Sequence, residues 1–121
     1  MKPKDILPLV LILIFMVSFA SAQQKGKNGE DPNARSVQGV VEDPPGNLVE
    51  GAVVQLKNAK TLQVRSFITL RDGTYYFHGL SPDVDYELKA DFNHMSSPTR
   101  RLTVFDSRKK AIVNLKLEAK P

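Results

Sequence analysis

The sequence predicts an all-β fold, a seven-stranded two-sheet sandwich with Greek-key connections. Three observations carry this. From Arg35 onward, short stretches of Val, Leu, Ile, Phe and Tyr alternate with polar residues. Pro, Gly, Asn and Asp interrupt those stretches at regular intervals. No apolar pattern at three-and-four spacing runs longer than two turns, so no helix is available to cover a single sheet. Strands that each have one apolar face must then bury those faces against one another.

Residues 36–43 form the first expected strand, stopped by Pro44-Pro45-Gly46-Asn47, where two prolines cannot donate to a ladder. Residues 52–57 form the second, with Ala52, Val54 and Leu56 on one face and Val53, Gln55 and Lys57 on the other. Residues 63–70 and 74–78 follow as a hairpin about Asp72-Gly73, a pair suited to the positive φ angles of a type I′ turn. In that hairpin Leu70 faces Tyr75 and Ile68 faces Phe77. Its inner face collects Val64, Ile68, Leu70, Tyr75 and Phe77, and its outer face Arg65, Phe67, Thr69, Tyr76 and His78. After a loop from Gly79 to Asp83, the fifth strand spans residues 85–92 with Tyr86, Leu88, Ala90 and Phe92 inward. A turn at residues 93–97 leads to the sixth, residues 99–105, with Leu102 and Val104 inward. The last is residues 111–118, with Val113, Leu115 and Leu117 inward.

The segment before these strands differs in kind. Residues 1–22 run from a basic start (Lys2, Lys4) through an apolar middle to Ala20-Ser21-Ala22, the order of a secretory signal peptide cleaved after Ala22. The unbroken apolar run, Leu9 to Val17, is shorter than the roughly 20 residues a membrane-spanning helix needs, so no stable membrane span is expected after cleavage. Residues 23–34 offer nothing to anchor a core and read as a disordered leader, which leaves residues 35–119 as the domain. The expected location is secreted or periplasmic.

Composition narrows the chemistry. The chain has 121 residues, 41% hydrophobic and 25% charged, which suits one small globular domain. It has no Cys, which removes disulfides, thiolate metal sites and a cysteine nucleophile together. The formal net charge is +4. Its basic residues gather late, at Arg100, Arg101, Arg108, Lys109 and Lys110, but export and the lack of a groove-reading helix argue against nucleic acid. A solvated positive face, or adhesion to an anionic polymer, is the expectation there.

Several stretches together resemble the carboxypeptidase regulatory-like domain: Val37-Gln38-Gly39-Val40-Val41, Glu50-Gly51-Ala52-Val53-Val54, Asp72-Gly73-Thr74-Tyr75-Tyr76-Phe77 and Asp85-Tyr86-Glu87-Leu88. The resemblance covers roughly residues 37–118. It implies a transthyretin-like (prealbumin-like) sandwich within the carbohydrate-binding-like fold, and a non-catalytic accessory or interaction module. Adhesin modules of similar fold form a Lys–Asn isopeptide bond beside a buried acid. Asn114 and Glu87 are present for this, but residues 36–43 contain no Lys.

No catalytic, metal-ligating or cofactor-binding residues are assigned. A zinc site would need both His78 and His94 plus carboxylates such as Asp83 or Asp91, and surface histidines are the plainer reading. Asp43, Asp72, Asp83 and Asp85 lack the dense spacing of a calcium loop, and Asp72 is explained by its turn. Ser96 and Ser97 have no nucleophile motif around them. The outer face of the expected hairpin remains as the ligand-binding candidate: Phe67, Tyr76 and His78, with Arg65, form a ring platform of the kind that stacks on sugar or peptide. The expected function is therefore a secreted, non-catalytic module, monomeric or weakly associating, that recognises a protein or glycan at the cell surface. The alternatives are a structural or carrier subunit of an envelope complex and a small hydrolase dependent on His78.

Overall fold

The computed structural model describes residues 31–120, so the expected signal peptide and residues 23–30 of the leader lie outside the described residues. A turn at residues 32–33 leads into β1 (Arg35–Glu42), the central strand of the first sheet. Val37 and Val41 are inward on β1 and fully buried. β2 (Val53–Asn58), β3 (Val64–Ile68), β4 (Thr74–Leu80) and β5 (Tyr86–Phe92) follow. The expected sixth strand is two pieces, β6 (Met95–Ser96) and β7 (Arg100–Leu102). The expected seventh is three: β8 (Lys110–Ile112), β9 (Leu115–Lys116) and β10 (Glu118–Ala119).

These segments form two sheets, one of four strands and one of six. Sheet I has the order β4-β1-β8, with β9 also on β1; sheet II has the order β10-β6-β5-β2-β3, with β7 on β5. All pairings are antiparallel except those of β1 with β8 and β9. Between the sheets lies one core of alternating inward residues: Val37 and Val41, Val54 and Leu56, Tyr75 and Phe77, Tyr86 and Leu88, Leu102, and Leu115 with Leu117. Burial of these apolar faces drives the two layers together.

The fold corrects two expectations. First, β3 and β4 are not paired. β3 pairs with β2 (Val54↔Phe67) and β4 with β1 (Gly39↔Tyr75), so the chain crosses from one sheet to the other between them. Asp72-Gly73 does make a tight turn, but not the expected type I′: only Gly73 has a positive φ, 77°, while Asp72 does not, and the Gly73 N–H donates to the Leu70 carbonyl at 2.8 Å, with the Asp72 carboxylate accepting from the Thr74 hydroxyl at 2.7 Å. That turn closes with one further bond, Leu70 N–H to the Thr74 carbonyl, after which the strands diverge. Second, the faces of β3 are reversed. Phe67 and Thr69 are turned toward the core, while Val64, Ile68 and Leu70 are exposed. Thr69 decides this: its hydroxyl donates to the Val49 carbonyl at 2.6 Å and accepts from the Ala52 N–H at 2.9 Å, bonds available only on the inner side.

Smaller departures have local causes. β4 runs two residues past its expected end because a bulge at His78–Gly79, with Gly79 at φ 69°, shifts the register between Arg35↔Leu80 and Val37↔Phe77 and turns Leu80 into the core. Val104, expected inward, is exposed beyond the end of β7.

The last strand is broken where it crosses Gly39. A methyl group built on Gly39 would collide with the Val113 carbonyl, and no other residue leaves room for that crossing. The Val113 N–H donates to the Gln38 carbonyl at 2.9 Å. Asn114 then substitutes its side chain for a backbone carbonyl, its Oδ1 accepting from the Val40 N–H at 3.1 Å.

Candidate functional site

The structure separates the four residues expected to form one platform. Tyr76 and His78 stand on the outer face of sheet I, two residues apart on β4, with rings stacked at 5.7 Å between centroids and 22° between planes. Tyr76 is 44% exposed. Phe67 is instead half-buried between the sheets, edge-on to Phe77 at 6.1 Å. Arg65 lies along the sandwich edge, its guanidinium 5.9 Å from the Phe77 ring centre, and its Nη1 donates to the His78 carbonyl at 3.2 Å. A shared outer face for Phe67 and Tyr76 is thus overturned, because the two belong to different sheets.

Beside Tyr76 the outer face of sheet I forms a shallow groove of about 450 Å³. Its walls come from three strands in register: Gln38 of β1 lies opposite Tyr76 of β4 on one side and Ile112 of β8 on the other. Thr74, Val40 and Asn114 complete it. With the Asn114 Oδ1 held by Val40, its Nδ2 remains as a donor, as does the Gln38 amide. The groove therefore offers an aromatic surface flanked by neutral hydrogen-bonding groups. Sequence reasoning missed Gln38 and Asn114 as site residues, since neighbouring strands in sheet I are far apart in the chain.

Beneath that face sits Tyr75. Its hydroxyl donates to the Val113 carbonyl at 2.5 Å, inside the sandwich, and burial pushes its ionisation well above the usual tyrosine range despite the opposing charge of Arg100. It serves the frame and offers no general base.

At one end of the sandwich Arg35 is only 4% exposed. Nη1 donates to the carbonyls of Thr103 and Asp106, and Nη2 to those of Ser81 and Val84, so one guanidinium ties the β4–β5 and β7–β8 loops together. Its Nε has no partner among the described residues. Nothing in the alternation marked this residue, because a charge at the first position of a strand reads as a boundary.

Of the late basic residues, three meet a carboxylate and Arg100 meets a carbonyl, while Lys109 and Lys110 are exposed. Arg101 pairs with Glu87 at 3.0 Å, Arg108 with Asp106 at 2.6 Å and Lys120 with Asp91 at 3.7 Å, while Arg100 donates to the Asn114 carbonyl at 3.1 Å. The Arg108 hydrogen bond holds the Asp106 carboxyl down at about 2. Thr74 likewise lowers that of Asp72. Among the described residues no group of three or more His, Asp or Glu side chains converges as metal ligands would, and no helix is long and apolar enough to cross a membrane.

Comparison with known proteins gives a family and a fold. The family model described as the carboxypeptidase regulatory-like domain matches residues 36–118. No curated protein sequence matches the chain. Among solved structures, catechol 1,2-dioxygenase from Acinetobacter sp. ADP1, inhibited by bound mercury, is similar at 13% identity and a TM-score of 0.56, over 76% of this chain and 55% of that one. The dioxygenase domain of a dioxygenase carbohydrate-binding protein fusion from the cellulolytic bacterium Streptomyces sp. SirexAA-E is similar at 13% identity and 0.56, over 78% and 85%. For 3-chlorocatechol 1,2-dioxygenase from Rhodococcus opacus 1CP the values are 10% and 0.57, over 78% and 62%. The chain thus spans little more than half the length of the first and third of these. At such identities the likeness is one of fold alone.

Proposed function

Because this chain belongs to the carboxypeptidase regulatory-like domain family, matched over residues 36–118, we propose that it is a non-catalytic binding module whose outer sheet I face recognises a neutral glycan. The observation that carries this is the exposed Tyr76–His78 stack beside a groove edged by the Gln38 and Asn114 amides. A sugar ring presents apolar C–H faces that sit on aromatic rings, and hydroxyl pairs that match amide donors and acceptors. The groove is shallow, so binding is weak per site and gains from repetition along a polymer. Export, which the order of residues 1–22 supports, would place the module where cell-envelope polysaccharide is accessible.

Affinity electrophoresis through gels cast with neutral polysaccharides and soluble peptidoglycan fragments tests the reading. Tyr76→Ala is expected to abolish retardation, and His78→Ala and Gln38→Ala to reduce it, with unfolding midpoints unchanged. Retardation by no polymer, or retardation that Tyr76→Ala leaves intact, overturns it.

A further inference from the structure

The sandwich has two free sheet edges on the same side, β4 of sheet I and β3 of sheet II, and they are treated differently. On β4 the outward carbonyls at the two ends are occupied, that of Thr74 accepting from the Leu70 N–H at 3.1 Å and that of His78 from Arg65 Nη1 at 3.2 Å, which leaves that of Tyr76 between them open. On β3 the hydrogen-bond phase is fixed by its ends. The Asn58 N–H donates to the Gln63 carbonyl and the Thr69 N–H to the Ala52 carbonyl, both at 2.9 Å, so residues 63, 65, 67 and 69 bond to β2. The N–H and C=O groups of Val64, Ser66 and Ile68 therefore point away from the sheet, and no described residue meets them. The strand has no Pro, no Lys and no bulge, and its single charged residue, Arg65, is turned to the opposite side from Val64 and Ile68, where it donates to the His78 carbonyl. On its outer face Val64 is 49% and Ile68 63% exposed, flanking Ser66 and beside Val53 and Leu70.

This edge is complementary to itself. An antiparallel pairing centred on Ser66 sets Val64 opposite Ile68, Ser66 opposite Ser66 and Ile68 opposite Val64, each as a hydrogen-bonded pair that satisfies all the outward groups. On the other side of the strand the same register places Arg65 opposite the aromatic ring of Phe67, with no like charges directly opposed. As a rival occupant, residues 23–30 read Gln-Gln-Lys-Gly-Lys-Asn-Gly-Glu and have no apolar side chain to set against Val64 or Ile68. We propose that β3 pairs with β3 of a second copy of this chain about a two-fold axis through Ser66, joining two sheets II into one. The contact uses the backbone of β3 and not the rings of Tyr76 and His78, so sedimentation and cross-linking test the dimer separately from glycan binding. It is small, at the low end of specific interfaces, and a dissociation constant of about micromolar order is expected.

Sedimentation equilibrium of the chain as isolated from its host, over roughly 1 µM to 1 mM, is expected to show a monomer–dimer equilibrium. Ile68→Lys, a charge on the free edge, is expected to weaken it at least about 30-fold, with the unfolding midpoint of the monomer unchanged. The chain has no Cys, so Ser66→Cys introduces a single thiol. Across the axis the two Cα atoms would sit about 5.5 Å apart, within disulfide reach, and mild oxidation is expected to yield a covalent dimer. Gln55→Cys, one strand further in on the same face, is expected to remain monomeric. A monomer throughout the range overturns the proposal, as does a dimer indifferent to Ile68→Lys or equal cross-linking at Gln55→Cys. A dimer that forms only after residues 23–30 are removed would assign the edge to that segment and overturn it equally.

Discussion

β1 and β3 are both short strands of mixed apolar and polar residues, yet the structure grips them in opposite ways. β1 is held by β4 on one side and by β8 and β9 on the other, and at Gly39 the crossing chain comes so close that a single methyl group has no space. β3 is held by β2 alone and turns two large apolar side chains, Val64 and Ile68, to solvent. What a side chain contributes is therefore set by its place in the ladder and not by its hydrophobicity: the seam depends on a residue with no side chain, and the edge tolerates isoleucine in water.

The sharpest way to break this contrast is Gly39→Ala. The backbone there is ordinary extended strand, so only space is at issue, and the obstruction is the main-chain carbonyl of Val113 rather than a flexible side chain. The substitution must displace the β8–β9 crossing together with the bonds from Val113 N–H to Gln38 and from Val40 N–H to Asn114. A loss of about 4 kcal/mol is expected, at the upper end for a point substitution, read as a fall in the urea midpoint with the slope unchanged. A loss below about 1 kcal/mol would mean the seam can shift freely, and the contrast with the edge would vanish.

Thr69→Val comes next and sharpens the comparison at the end of β3. It keeps the shape of the side chain but strips the Val49 carbonyl and the Ala52 N–H of their buried partner. Two unsatisfied groups cost about 3 kcal/mol together, more than any apolar residue on the outer face of the same strand should cost. Tyr75→Phe is the counterpart at the seam. It removes only the hydroxyl that reaches the Val113 carbonyl and is expected to cost about 2 kcal/mol. Denaturant titration of the two variants side by side checks the order, which reverses if the Val113 carbonyl matters more than the Thr69 staple.

The same contrast explains what the sequence could disclose. On β2 and β5 one alternating set is clearly apolar, Ala52, Val54 and Leu56 or Tyr86, Leu88 and Ala90, and those faces are the buried ones. Around β3 the more apolar of the two alternating sets is the exposed one. Counting apolar residues favours Val64, Ile68 and Leu70, whereas the polar Thr69 is drawn inward by backbone groups 17 and 20 residues earlier in the chain. The Asp72-Gly73 turn was legible as a turn because its geometry is local. Which sheet each flanking strand joins was not, because that choice rests on distant partners. The candidate site divided along the same line: Tyr76 and His78 share one strand and one face, while Phe67 needed knowledge of the crossing, and Gln38 and Asn114 needed the register of β1 with β4 and β8.

Ile68→Ser has the smallest expected effect, and it tests the free side of the comparison directly. Ile68 lies opposite Val53 on the outer face of sheet II, and on a buried face its replacement by serine would cost several kcal/mol. Here most of the side chain is already in water, so in dilute solution, where the monomer dominates, a change within about 0.5 kcal/mol is expected. The modest loss of β propensity falls inside that range. The measurement is the urea midpoint at low concentration, repeated at high concentration. If the midpoint falls only in the concentrated sample, the residue contributes through a second copy and not through its own fold, since pairing that favours the native state stabilises it by mass action. A loss of about 2 kcal/mol or more in the dilute sample would mean that the outer face of β3 is packed against part of its own chain, and the edge would then be no edge at all.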